Sequence, residues 1–251
     1  MRIIGNGFLA RQLEAISHLH PHAVLLAAGV SDVGLAAPVA FEREALLVRD
    51  SARECRRTGR TLVLFSTASA GLYGTPRCTG REECSHPTTP YGHHKLAMER
   101  LARSSGCSWL ILRIGHLVGP GQSPHQLIPA LVRQVESGEV CIFRDTRRDL
   151  LDVRDFISMI DGLLALRVTD EMINLASGSA VPVDDIVTHI AAVLKREPRR
   201  TYVDLSRDHY VSVQKLRHLL SKESGGHAGY RAVLDRYVPL YASKSAVHGS
   251  L

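Results

Sequence analysis

Five short apolar runs constrain the fold more than any other feature of this chain. They are residues 1–4, 23–28, 61–66, 109–114 and 171–175, each rich in Val, Ile or Leu. A strand that is apolar on both sides is covered on both sides, as in a parallel sheet flanked by helices. Between and after the runs lie stretches with helical spacing, at about 7–19, 40–58, 91–105, 124–137, 154–167 and 183–196. Alternating strands and helices predict an α/β fold, a doubly wound parallel sheet with a small C-terminal lobe. Residues 1–170 form its main domain in this reading and 171–242 the last strand, helices and lobe. A polar tail follows at 243–251.

Two motifs sit on this frame. Gly5-Asn6-Gly7-Phe8-Leu9-Ala10 fits G-x-G-x-x-A between the first run and a helix. Such a turn lets a pyrophosphate approach the backbone closely. Further on, Thr89-Pro90 supplies a cap and a first-turn proline for a helix carrying Tyr91 and Lys95. Residues four apart share a helix face. A phenol ionises near pKa ~10, and a neighbouring ammonium lowers that value, so the pair reads as an acid/base centre. A hydroxyl residue about two dozen positions earlier, at the end of the 61–66 run, can hold a substrate oxygen beside it.

Composition narrows the alternatives. Net charge is +6, but the basic pairs Arg56-Arg57, Arg147-Arg148 and Arg199-Arg200 are isolated. They suit an anionic small molecule and argue against nucleic acid. Five cysteines, among them Cys78 and Cys84 in an expected loop, form no C-x-x-C and no four-ligand set, which predicts reduced thiols and no metal. His18, His20 and His22 around Pro21 read as surface residues. With no long apolar segment and no leader before the first strand, the expectation is a soluble, cytoplasmic protein. Its expected partners are a small substrate and a second copy of itself, without membrane contact.

In motif order the chain resembles the extended short-chain dehydrogenase/reductases, the NAD-dependent nucleotide-sugar epimerase/dehydratase family. The resemblance is carried by the glycine turn, Leu26-Ala27-Ala28-Gly29, Leu64-Phe65-Ser66-Thr67 with Tyr73-Gly74, and Pro90-Tyr91-Gly92-His93-His94-Lys95. Leu112-Arg113-Ile114-Gly115-His116, Arg148-Asp149-Leu150-Leu151-Asp152-Val153-Arg154-Asp155 and Ile173-Asn174-Leu175 continue it. It implies a Rossmann-like fold and an NAD or NADP cofactor held by Gly5, Asn6, Gly7, Phe8, Leu9, Ala28, Gly29 and Lys95. It implies Tyr91 as acid/base, Lys95 on the nicotinamide ribose, and Thr67 or Ser69 on the substrate oxygen. His116, His94 and Arg148, together with Arg113, are the substrate candidates. For the arginines an ion pair with Asp149, Asp152 or Asp155 is the competing reading.

Three departures stand out. The Ala27-Ala28-Gly29 segment arrives after one helix, where the family has two further strands, so the adenosine-binding half is shortened between Ala10 and Thr61. Asp32 mimics a ribose-binding carboxylate by its distance from the glycine turn, but the deletion reading accounts for Ala27-Ala28-Gly29 as well. Two further departures are His116, where an asparagine is frequent, and His93-His94 between Tyr91 and Lys95. The shortening predicts weak cofactor binding with little discrimination between NAD and NADP. It also keeps open a degenerate member that binds a sugar nucleotide, or does acid/base chemistry, without nicotinamide redox.

Overall fold

The computed structural model describes residues 1–30, 38–74, 80–204, 210–220 and 228–248, with side chains as far as Ala242; Asp32 and Cys78 lie outside them. The chain divides into two compact units. The first comprises Met1–Gly115, Phe156–Leu175 and His209–Ser224, the second His116–Asp155, Ala176–Asp208 and Gly225–Leu251.

In chain order the elements begin with β1 (Arg2–Ile4), α1 (Phe8–Leu13), a 3-10 helix at Glu14–Leu19, β2 (Ala23–Leu26) and α2 (Pro38–Thr58). Then come β3 (Thr61–Thr67), α3 (Ala70–Tyr73), α4 (Pro90–Arg103), β4 (Trp109–Ile114) and β5 (His116–Val118). They continue with α5 (Leu127–Ser137), β6 (Glu139–Phe143), β7 (Arg147–Asp152), α6 (Val153–Ala165) and β8 (Glu171–Leu175). The last are β9 (Ala180–Pro182), α7 (Val183–Leu194), β10 (Arg199–Val203), α8 (Gln214–Leu220) and α9 (Tyr230–His248).

The first unit is built on a five-stranded sheet in the order β1-β2-β3-β4-β8, every pair parallel. All five apolar runs are its strands. Strand β2 lies beside β1, with Ile4 opposite Leu26, and its other edge pairs with β3. Between Ala10 and Thr61 it is the only strand among the described residues. One side of the sheet is closed by α2 and α4 over Val24, Leu26, Leu62, Leu64 and Ile111, with Val48, Ala52, Cys55, Met98 and Ala102 opposite. On α6, Phe156 meets Phe65 with ring centroids 5.9 Å apart. Burying one such leucine or phenylalanine contributes about 1.5–3 kcal/mol.

Both flanking helices carry buried polar groups within their apolar stripes. Helix α2 buries Glu44, Val48, Ser51, Ala52 and Cys55; α4 buries Tyr91, His94, Lys95, Met98, Glu99 and Ala102. These spacings are one helix face. Thr89 caps α4 as expected, its hydroxyl accepting the Gly92 N–H at 3.1 Å.

Residues 116–155, placed with the first domain on sequence, group with the second unit. The cause is strand pairing: β5 runs parallel to β7, which pairs antiparallel with β9, and β6 pairs with β10. Helices α5, α7 and α9 pack on one another in this unit. The polar segment from Ser243 to His248 continues α9 instead of leaving the fold as a tail. His20, expected at the surface, is 4% exposed and bonds Asp161 at 2.7 Å, whereas His18 is exposed. Neighbours on α6 cover it, a contact 141 residues away in sequence that local polarity does not report.

Candidate active site

The first unit brings Tyr91, Lys95, Thr67 and His94 together. Tyr91 and Lys95 lie one turn apart on α4, and the Lys95 ammonium is 5.6 Å from the centre of the Tyr91 ring. Thr67, the last residue of β3, acts on the Tyr91 phenol and favours its charged form. The Ser69 N–H also donates to Thr67 Oγ1, at 3.2 Å. Ser69 Oγ itself is buried and has no partner among the described residues. A buried hydroxyl left without a partner costs free energy.

A residue that the sequence reading did not single out completes the cluster. Glu44 on α2 accepts from Lys95 Nζ at 2.8 Å, contacts His94 Nε2 at 2.9 Å and accepts the Val30 N–H at 2.8 Å. Glu44 is 1% exposed and Lys95 4%. The His94 ring stacks on Phe41, centroids 4.0 Å apart and nearly coplanar. His94 therefore enters the site through Glu44, while His93 faces solvent. Gly29 packs against this ion pair: a Cβ there would lie 2.5 Å from Glu44 Oε1 and 3.0 Å from Lys95 Nζ.

Electrostatics reverse one expectation. Burial opposes the Glu44 charge, but the Lys95 cation, with the Val30 and His94 hydrogen bonds, outweighs it and holds the carboxyl below its ordinary value. Lys95 was expected to pull the Tyr91 phenol down. Instead Tyr91 is pushed up, first by burial and then by the Glu44 charge, with the Thr67 hydrogen bond acting the other way. A cation neutralised at 2.8 Å has little attraction left to offer a phenolate. The protonated phenol is the resting form.

At the start of the sheet, Gly5, Asn6 and Gly7 are exposed between β1 and α1. Gly5 has φ +126°, and a Cβ there would sit 2.6 Å from the Ala27 carbonyl oxygen, so only glycine fits. Ala27 in turn donates its N–H to Ile4 O at 2.8 Å, which brings Ala28 and Gly29 beside the turn. Beyond Gly7 nothing lies within 4 Å of a Cβ. The cradle has room for a phosphate, and the glycine-turn residues fit a dinucleotide. Phe8 and Leu9 are half-buried at the start of α1.

Arg113 does not grip a substrate. It is fully buried and bonds Glu99 through Nε at 2.8 Å and Nη2 at 2.7 Å, and Glu82 O through Nη1 at 2.9 Å. His116 and Arg148 belong to the second unit, on β5 and β7, where Arg148 Nη1 donates to Arg147 O at 2.7 Å. Asp149 accepts the N–H groups of Ser177, Gly178 and Ser179, and Asp152 accepts from Tyr237 and pairs with Arg236. Among the described residues no cluster of three or more potential metal ligands forms, and no helix is long and apolar enough to cross a membrane.

A parallel sheet with a glycine turn at its first strand and a Tyr-x-x-x-Lys helix beside its third defines a dinucleotide-dependent class of fold and site. The chain belongs to the NAD dependent epimerase/dehydratase family, a family of enzymes, whose profile matches residues 9–176. The match begins at Leu9, within the glycine-turn motif and after both of its glycines. Among solved structures, the chain is similar to RMD from Pseudomonas aeruginosa complexed with NADPH, at 20% identity and a TM-score of 0.78, covering 96% of this chain and 98% of that one. It is also similar to MoeE5 in complex with UDP-glucose and NAD, at 25% identity and 0.73, covering 97% and 86%. A third is dTDP-glucose 4,6-dehydratase from Bacillus anthracis in complex with NAD, at 18% identity and 0.77, covering 97% and 80%. No curated protein matches the sequence.

Proposed function

We propose that this chain is an NAD(P)-dependent reductase, epimerase or dehydratase acting on a nucleotide-linked sugar, with Tyr91 as its proton donor and acceptor. The observation that carries this reading is the pairing of Tyr91 with the buried Lys95 one turn along α4, the ammonium 5.6 Å from the ring centre and bonded to Glu44. The cofactor would lie along Gly5, Asn6, Gly7, Phe8 and Leu9, pass Ala28 and Gly29, and reach Lys95. It supplies hydride exchange at its nicotinamide.

The residues of the chain do the rest. Thr67 and Ser69, at the end of β3, are the hydroxyls that would orient the substrate oxygen beside Tyr91. A neutral Tyr91 gives its proton to a carbonyl oxygen as that carbon is reduced, and takes a proton back when an alcohol is oxidised. Lys95 gives one N–H to Glu44 and keeps the others for a ribose hydroxyl. The nucleotide-sugar ligands of MoeE5 and the substrate named for dTDP-glucose 4,6-dehydratase support the substrate class.

The experiment is a fluorescence titration of purified protein with NAD, NADH, NADP and NADPH. Binding is expected, weak and with less than ~100-fold preference (about 2.7 kcal/mol) between NAD and NADP. A larger preference means a discriminating adenosine pocket; no binding of any form overturns the redox reading. Turnover without a bound nicotinamide favours a cofactor-free acid/base enzyme.

A further inference from the structure

We infer that Glu44 is a positioning residue of this site: it clamps the Lys95 ammonium and His94 and so keeps Tyr91 a proton donor. The inference rests on the reading of Tyr91 as acid/base given above. Three observations carry it. Glu44 is a buried acid in the apolar stripe of α2, four residues before Val48, and its carboxylate meets three donors within 2.9 Å. Two of those donors, His94 and Lys95, come from the face of α4 that presents Tyr91. Gly29 leaves the carboxylate its place, since a Cβ there would lie 2.5 Å from Glu44 Oε1.

The charge balance gives the clamp its consequence. Among the described residues, the ionisable groups that act on or are acted on by Glu44 are His94, Lys95 and Tyr91, all from α4. Lys95 without Glu44 would be an uncompensated cation beside the phenol, and the phenolate would gain from it. With Glu44 in place the pair is neutral, and the carboxylate's field acts directly on Tyr91. The chemistry favoured is proton delivery to a developing alkoxide. The resting site is therefore set to give a proton, and proton abstraction from an alcohol gains as the medium becomes alkaline.

The test follows the 13Cζ resonance of tyrosine-labelled protein from pH 7 to 11.5, with Tyr91→Phe to assign the signal. It compares the wild type with Glu44→Gln, and adds the Lys95→Met and Glu44→Gln/Lys95→Met pair, which repeats the comparison should Glu44→Gln fail to fold. Tyr91 is expected to stay neutral across the range in the wild type and to ionise at least one pH unit earlier in Glu44→Gln. Glu44→Asp, which keeps the charge, is expected to restore the wild-type curve. Indistinguishable curves in wild type and Glu44→Gln, or in the second pair if it carries the test, moving or flat, overturn the inference. This readout needs neither cofactor nor turnover. A shift found with active Tyr91→Phe leaves the clamp standing and removes Tyr91 from catalysis. An inactive Tyr91→Phe with no shift does the reverse.

Discussion

The first unit holds two buried carboxylate clamps of similar composition and different availability. Glu99 and Arg113 face each other across α4 and β4, and the guanidinium is consumed: two bonds to Glu99, one to Glu82 O and one to the Tyr73 hydroxyl. Ser66 fills a further position on Glu99 at 2.5 Å. Glu44 and Lys95 are as deeply buried, but the ammonium makes one bond to a described residue, to Glu44. It stands next to Tyr91 and near the open glycine turn. A saturated clamp fixes the fold, while one with donors to spare can serve a ligand.

Arg113→Met should give the largest effect on the structure. It leaves Glu99 and Glu82 O without their partner, and stranding a buried charge costs about 3–5 kcal/mol. A urea midpoint measures it, and a stability loss below ~1 kcal/mol would show that the Arg113 cluster is not a structural clamp. Tyr91→Phe should do the opposite, lowering turnover by ~10²–10⁴-fold while leaving that midpoint in place. Unchanged turnover would put Tyr91 among the structural tyrosines, with Tyr73.

The glycine turn separates the same two roles. Gly5→Ala forces a side chain into a positive-φ position against the Ala27 carbonyl and should cost about 1–3 kcal/mol of stability. Gly7→Ala meets open space and should shift stability by no more than ~0.5 kcal/mol, yet weaken dinucleotide binding where a phosphate approaches. Thermal melts with and without NADP distinguish the pair, and equal effects of both would take the phosphate away from Gly7.

The smallest expected effects are in pH dependence, and the clamps differ in sign of window. Glu44 has a folded value below its ordinary 4.5. Its contribution is thus complete above pH 4.5 and is lost as pH falls through the folded value. Tyr73 sits at about 12 in the fold, raised from 10 by burial. Its contribution is present below pH 10 and is lost as pH rises toward 12. Melting temperatures in Glu44→Gln should lose part of the acid limb and keep the alkaline one; an unchanged acid limb would contradict the Glu44 pairing.

Much of this was legible in sequence. Continuous apolar runs gave the strands of the main sheet, and the early Ala27-Ala28-Gly29 segment gave the neighbouring of β1, β2 and β3. Tyr91, Lys95 and Thr67 were legible because their spacing encodes a shared face and a strand end. Glu44 was not. An acid on an amphipathic helix reads as solvent-facing, and its burial depends on Lys95, 51 positions away. The available signal was its place in the stripe with Val48, Ser51, Ala52 and Cys55. Arg113 failed as a substrate candidate for the same reason, since Glu99 lies on another element. Strands β5, β6, β7, β9 and β10 were missed because none is a continuous apolar run: β6 alternates buried and exposed residues, and β7 and β10 open on Arg147-Arg148 and Arg199-Arg200.

The central claim is that the Tyr91–Lys95 cluster, and not the Arg113 cluster, faces a nicotinamide cofactor. Calorimetric titration with NAD, NADH, NADP and NADPH tests it on the wild type and on Glu44→Gln/Lys95→Met, which removes both charges and strands neither. The account predicts binding of at least one form by the wild type, weakened tenfold or more in the variant, about 1.4 kcal/mol. No binding by the wild type, or equal binding by both proteins, would contradict it.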